Sequence, residues 1–333
     1  LYPYCEQASA VLDVLRMELS RKQVRVVTNT AVESAVYRSE SGVFELTDGF
    51  GAVHNFQKLI VACGSPASLK KGEGMTGYRL AESFGHKVKR LLPGLVQLRS
   101  DEAFVRALAG VRCQAKVTLL TDGEEQAAET GEVQFTDYGV SGIPVFQLSR
   151  IGAAAVAEKK KVEVILDFFP DQEEKAYVYM ARQRFELQQD KTREEYMTGL
   201  LNKKINMVLI KRLGLKPDRK AAETGWQKIS ALMQECRRFP IHISSANSME
   251  NAQICAGGIG LEQISTEMES ELVKGLYFTG ELLDIDGRCG GYNLQWAFTS
   301  GVIAGRNAAG CSTRAEAEGS EPENEQLKGG PKC

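Results

Sequence analysis

Apolar positions recur at helical spacing from the start of the chain. Val11, Leu12, Val14, Leu15 and Leu19 share one side of a predicted helix that Ser9 can cap. The period then changes. QVRVVTNTAVESAVY alternates short β-branched runs with a polar TNT, and GVFELTDGFGAVHNF predicts two strands around the turn signal Thr47 to Gly51. Leu59 to Ala62 is too continuously apolar for a half-exposed strand, which predicts a buried, parallel one. From Pro93 to Pro170 short strands dominate, in AKVTLLTDG, GEVQFTD and KVEVILDFFPD, with a helix in SGIPVFQLSRIGAAAVA that Ser141 can cap. From Asp171 to Arg238 the pattern is charged amphipathic helix, in EEKAYVYMARQRFELQQ, REEYMTGLLNKKINMVLIKRLGL and TGWQKISALMQECRR. FPIHIS is again a strand, AQICAGGI another followed by a Gly-Gly turn, and KGLYFTGE a third. The tail from Cys311 has almost no apolar residues and is expected to be disordered.

Composition narrows this picture without naming a chemistry. A chain of 333 residues suggests two or three domains, and 43% hydrophobic with 25% charged residues is globular. The formal charge of -2 gives no broad attraction to nucleic acid or to an anionic membrane. The basic cluster Lys203, Lys204, Lys211 and Arg212 lacks the aromatic interleaving of a nucleic-acid surface and reads as a solvated face. Eight cysteines form no CxxC pair and only three histidines accompany them, so no metal site is expected and a reducing cytoplasm is predicted. No apolar run is long enough to span a bilayer, and no charged-then-apolar leader is present. The chain opens inside a helical pattern without Met, and reads as a fragment that begins mid-domain.

Two stretches carry candidate chemistry. Gly72, Gly74 and Gly77 match the dinucleotide fingerprint literally, but SPASLKK separates them from the preceding strand and no strand ending in an acid follows about 20 residues later. A flexible loop before a helix is the preferred reading. The second stretch is GELLDIDGRCGGYNLQWAFTSGVIAG, from Gly280 to Gly305. Glu281 falls at the carboxyl end of a strand, where open α/β sheets bind ligands, and a carboxylate there can accept hydrogen bonds from ribose or ribityl hydroxyls. Gly290 and Gly291 remove side chains just before a helix starting at Tyr292 or Asn293, whose first amides are unpaired and whose dipole is positive. Ala297, Gly301 and Gly305 recur every four residues, a stripe that lets a helix approach a sheet or helix closely. An acid, bare backbone and a helix start together suit a flavin, with its hydroxylated chain and its electron-rich ring edge.

Gly280 to Gly305, with the preceding AQICAGGIGLEQISTEMESELVKGLYF, resembles the C-terminal signature of the BaiN/RdsA-like, or YhiN-type, family of FAD-dependent oxidoreductases. LYPYCEQASAVLDVL, LIVACGSPA and FTDYGVSGIPVFQLSR extend the resemblance over most of residues 1 to 310. It implies an α/β fold in which a Rossmann-like FAD-binding domain is interrupted by a β-rich domain and a helical domain. The expected boundaries are 1–85 and 246–311 for the FAD-binding domain, 86–170 and 239–245 for the β-rich domain, 171–238 for the helical domain and 312–333 for the tail. The implied FAD contacts are Val32 at the adenine end, Ala62 and Gly64 at a strand end, and Gly280 and Glu281 at the ribityl-pyrophosphate region. Gly291, Tyr292, Asn293 and Leu294 would frame the ring, with Asp286 and Gly258 as further carry-overs. The family's N-terminal GxGxxG, its ribose-binding acid and the loop after them have no counterpart here.

The functional expectation is an FAD-dependent oxidoreductase, with NAD(P)H or oxygen as redox partner, acting on a small molecule of the enone or dehydro-bile-acid kind. The family's activities, reduction of dehydro-bile acids and oxidation of aminoacetone, do not select a substrate. No nucleic-acid or membrane partner is expected, and the oligomeric state is not readable. No catalytic acid or base is assigned, with Tyr292 and Arg288 as candidates by proximity in sequence. The rivals are a flavin-binding protein without turnover, including a non-functional truncated product, and a nucleotide-binding enzyme using Gly72 to Gly77.

Overall fold

The structure, a computed structural model, describes residues 3–310; the tail expected to be disordered, with Cys311 and Cys333, lies outside the described residues. The chain divides into two compact units at Gln57 and Lys58. In the first unit, α1 (Ser9–Arg21) is followed by the antiparallel meander β1 (Val32–Arg38), β2 (Val43–Asp48) and β3 (Val53–Phe56). Ser9 is the first helical residue of α1; Ala8 precedes it and no side chain caps the helix. None of α1 is buried, so its apolar side, Val14 and Met17 included, faces outward. Val24 to Val27, expected to extend, joins no ladder and is exposed. The meander buries Ala35, Phe44 and Leu46. Its β2–β3 turn is fixed by Asp48, whose Oδ1 accepts the amides of Phe50 and Ala52 at 2.9 Å each.

The second unit begins with β4 (Leu59–Val61) and α2 (Thr76–Ser83). Between them Gly74, at φ 73°, packs so tightly that an added Cβ would lie 2.7 Å from Pro66 Cα. A packing constraint thus accounts for this glycine of the literal fingerprint. β5 (Val88–Gly94) and β6 (Leu98–Arg99) lead through α3 (Ala103–Ala107) into the long hairpin β7 (Arg112–Thr121) and β8 (Glu124–Phe135). β9 (Gly139–Ser141) then turns into α4 (Ile143–Ala157). Ser141 ends the strand and caps nothing; Gly142 precedes the helix at φ 110°, a conformation open to glycine, and Pro144 opens the first turn.

After β10 (Val162–Asp167) come the helices α5 (Glu174–Leu187), α6 (Arg193–Met197), α7 (Lys203–Arg212) and α8 (Ala221–Glu235). The apolar spacing of REEYMTGLLNKKINMVLIKRLGL suggests one helix, but the chain breaks at Gly199, which takes φ 85°. Each half is capped by its own residue: Thr192 and Glu195 form a reciprocal capping box, and Asn202 accepts the Lys204 amide. β11 (Phe239–Ile243) and β12 (Ser245–Ala246) complete an antiparallel sheet of seven strands, ordered β11-β10-β7-β8-β9-β6-β12. Its inward residues Val117, Leu119, Val133, Phe135 and Val164 share one core with Leu148 of α4 and with Tyr177, Leu209 and Leu232 of the helices.

Three elements remain. β13 (Ile254–Ile259) pairs antiparallel with β5, β14 (Leu276–Phe278) pairs parallel with β4, and α9 (Tyr292–Ala308) follows. The expected Gly-Gly turn lies inside β13: Gly257 and Gly258, at φ 90° and 125°, form a bulge where the register with β5 shifts. No helix among the described residues is long and apolar enough to cross a membrane.

Candidate functional site

β4 and β14 run in the same direction, with Leu59, Ile60 and Val61 opposite Leu276, Tyr277 and Phe278. Their carboxyl ends therefore lie side by side, the position at which parallel sheets bind ligands. Of the β4 residues only Val61 is buried, so the strand is parallel as expected but open on one side. Each strand runs into a positive-φ glycine, Gly64 at 72° and Gly280 at 66°. No atom lies within 4 Å of where a Gly64 Cβ would stand, and Ala62 is exposed. Glu281, half-buried beside them, accepts a 2.5 Å hydrogen bond on Oε2 from the Ser65 hydroxyl. Burial raises the carboxyl pKa; Ser65 opposes that shift, and the Asp286 charge adds to it. Tyr78 donates its hydroxyl to the Glu281 carbonyl at 3.0 Å, fixing the acid's backbone from α2.

α9 holds the same strand end from the other side. The Gly280 amide donates to Ser300 Oγ at 2.9 Å, and the Trp296 indole donates to the Gly280 carbonyl at 3.1 Å. The close approach expected of the small-residue stripe occurs only here, where a Gly280 Cβ would meet Ala297 Cβ at 3.9 Å; nothing lies within 4 Å of the Gly301 or Gly305 positions. α9 instead leaves Tyr292, Leu294, Phe298 and Val302 about half exposed or more. At its start Gly291 takes φ 94° and no side chain caps the first amides. Asn293 is turned back on the loop, its Oδ1 accepting the Gly287 amide at 2.7 Å and its Nδ2 donating to the Gly287 carbonyl at 3.0 Å.

The loop between Glu281 and α9 is tied down along its length. Lys89 pairs with Asp284 at 2.8 Å, Arg150 with Asp286 at 3.1 Å, and Arg288 with Glu129 at 2.6 Å. The Cys289 amide donates to Gln147 Oε1 at 3.2 Å. Burial raises the Asp286 pKa, Arg150 opposing it. Gly258 sits under the loop, where a Cβ would lie 2.6 Å from the Leu282 carbonyl oxygen. Ala62, Gly64, Gly280 and Glu281 thus gather at one strand end, and Gly291 to Leu294 start the helix that grips Gly280. Gly258 and Asp286 support the loop, and Val32 opens β1 in the other unit. Ser65, Trp296, Ser300, Gln147 and Arg150 do not stand out in the sequence. Ser65 and Glu281 are 216 positions apart, and no local pattern announces such a pair.

A parallel strand pair with an acid and a glycine at its carboxyl ends, beside an uncapped helix, is an arrangement shared with Rossmann-type domains. The chain belongs to the HI0933-like protein Rossmann domain family, which matches residues 1–307. It is 40% identical over 316 residues to the 3-dehydro-bile acid delta(4,6)-reductase of Clostridium scindens, covering 93% of this chain and 75% of that one. It is 27% identical over 303 residues to a ribosomal RNA dihydrouridine synthase of Haemophilus influenzae, covering 89% of this chain and 72% of that one. An Escherichia coli protein of the same name is 27% identical over 302 residues, with 89% and 71% covered. By family the chain is an oxidoreductase of α/β fold.

Proposed function

We propose that the chain is a cytoplasmic FAD-dependent oxidoreductase, reducing a small enone of the dehydro-bile-acid kind with NAD(P)H as the electron donor. The observation that carries this reading is the half-buried Glu281 at the joint carboxyl ends of β4 and β14, its carboxylate held by the Ser65 hydroxyl and its backbone carbonyl by Tyr78. The residues present fit the cofactor: open space at Gly64, an acid for hydroxyls, an uncapped helix start and exposed apolar side chains at Tyr292 and Leu294. Glu281 would accept the hydroxyls of the ribityl chain, and Gly280 would let the chain pass close to backbone. The first amides of α9 would face the electron-rich edge of the ring, while Tyr292 and Leu294 cover its face. Asn293 and the ion pairs to Asp284, Asp286 and Arg288 hold these groups in place. FAD, when bound, supplies the hydride chemistry. A small-molecule substrate is favoured over ribosomal RNA by the higher identity to the reductase, 40% against 27%.

Titration of FAD fluorescence with the chain tests this. Saturable binding is expected, weakened at least about tenfold by Leu294→Asp, which puts a charge where the ring would lie. Lys71→Glu, beside the Gly72 loop, is expected to bind as the parent does. A loss confined to Lys71→Glu would instead place the nucleotide at that loop.

A further inference from the structure

A groove of about 860 Å³ runs between α3 and α7, outside every element of the proposed cofactor site. Its floor is apolar, made by Ala103, Phe104 and Ala107 of α3 and by Met207 and Val208 of α7. Lys203, Lys204, Lys211 and Arg212 stand at the two ends of the α7 wall. This is the basic cluster that its spacing alone assigns to a solvated face.

The charges around the groove are unevenly satisfied. Glu102, the one acid of the lining, accepts the His242 amide at 2.8 Å and lies 4.0 Å from the Arg212 guanidinium. Arg212 also pairs with Glu235 at 3.2 Å and stacks over Phe104 and Phe239, so its charge is spent on the wall. Lys203 pairs with Glu194 at 2.9 Å. Among the described residues the Lys204 ammonium donates only to the neutral Ala109 carbonyl, at 3.1 Å. Lys211 is exposed, and its ammonium has no hydrogen-bond or ion-pair partner among the described residues. Two uncompensated ammonium groups therefore flank an apolar floor, seven residues or about 10 Å apart along the helix.

We infer that this groove binds a free amphipathic carboxylate, with its head at Lys211 and its apolar body on Phe104, Met207 and Val208. Of the two uncompensated cations, Lys204 is already bonded to the Ala109 carbonyl, which leaves Lys211 free to take one anionic group, and the floor supplies the burial that makes binding favourable. A nucleic acid would need an open aromatic face for stacking, and the face of Phe104 is taken by Arg212. The site does not depend on the FAD reading, because it shares no residue with it.

The test is calorimetric titration of the full chain with dodecanoate below its micelle concentration, and with dodecyltrimethylammonium as the charge-reversed probe. Dodecanoate is expected to bind saturably with Kd on the order of 100 µM, and the cation at least about tenfold more weakly. Lys211→Glu should weaken dodecanoate about tenfold or more, and Met207→Asp should do the same through the floor, each with an unchanged circular dichroism spectrum. Leu294→Asp should leave dodecanoate binding intact, which separates this groove from the cofactor site. Equal binding of the two probes, or unchanged binding in both groove variants, overturns the proposal. So does capture by anionic phospholipid vesicles or by an RNA duplex without binding of monomeric dodecanoate.

Discussion

The seven-stranded sheet and the strand pair that carries the candidate site solve the same packing problem to different degrees. Around the sheet, apolar residues from β7, β8, β10, α4 and α5 to α8 close over one another, and Phe135, Leu119 and Leu209 are fully buried. At the site, β4 and β14 form a ladder of three residue pairs, and α9 buries only Ser300 and Ala304 of its 17 residues. One region is stabilised by its own side chains. The other leaves apolar surface on α9 that burial against a ligand would stabilise, at about 25 cal/mol for each Å² removed from water. Stability and binding are therefore expected to reside in different halves of the second unit.

The largest effect should come from breaking the self-sufficient half. Phe135→Ala removes a fully buried ring from the sheet core and is expected to cost about 3–5 kcal/mol, a large share of the stability of an ordinary domain. Leu294→Ala, at 67% exposure, should change stability of the cofactor-free chain by no more than about 0.5 kcal/mol. Urea denaturation of both variants checks the contrast; equal losses would mean that α9 is packed as tightly as the sheet.

What was legible in the sequence follows the same division. The strands of the sheet and the helices after it show in the alternation of KVEVILDFF and the spacing of EEKAYVYMARQRF, because these patterns arise from burial within one element. Glu281, the glycine pair before α9 and the parallel strands were legible because each has a local signature. The parts that were misread depend on partners far away. Gly257 and Gly258 look like a turn in isolation, but pairing with β5 makes them a bulge. The α9 stripe promised close packing, but only Ala297 meets a glycine backbone. Ser65, Gln147, Arg150 and Glu129 serve the site through contacts 135 or more positions away, and no period in the sequence encodes such distances.

An intermediate effect tests the glycines that join the two halves. Gly258→Ala places a Cβ 2.6 Å from the Leu282 carbonyl, at φ 125°, and is expected to cost about 1–3 kcal/mol. Gly301→Ala, in the open stripe of a regular helix, should instead stabilise the cofactor-free chain by about 0.5–1 kcal/mol. Melting temperatures of the two variants should move in opposite directions. A destabilising Gly301→Ala would show that the stripe is packed in solution.

The smallest shift in stability, and the most informative, concerns Glu281. Burial raises its carboxyl pKa in the folded chain, so the folded state holds a proton that the unfolded state releases. Below the unfolded value, about 4.3, both states are protonated and the acid costs nothing. As pH rises from there through the folded value, stability falls, and it stays reduced at neutral pH. Glu281→Gln keeps an oxygen to accept the Ser65 hydroxyl and removes the charge. The variant should match the parent at low pH and melt higher at pH 7.5, when both are free of cofactor. If Glu281 accepts ribityl hydroxyls, the same variant should bind FAD about tenfold to a hundredfold more weakly, because hydrogen bonds to charged groups contribute about 1.5–3 kcal/mol. Opposite signs in the two measurements would identify a carboxylate retained for binding at the expense of stability. A variant that melts lower and still binds FAD as the parent does would make Glu281 a structural partner of Ser65, and the site would have to be sought elsewhere.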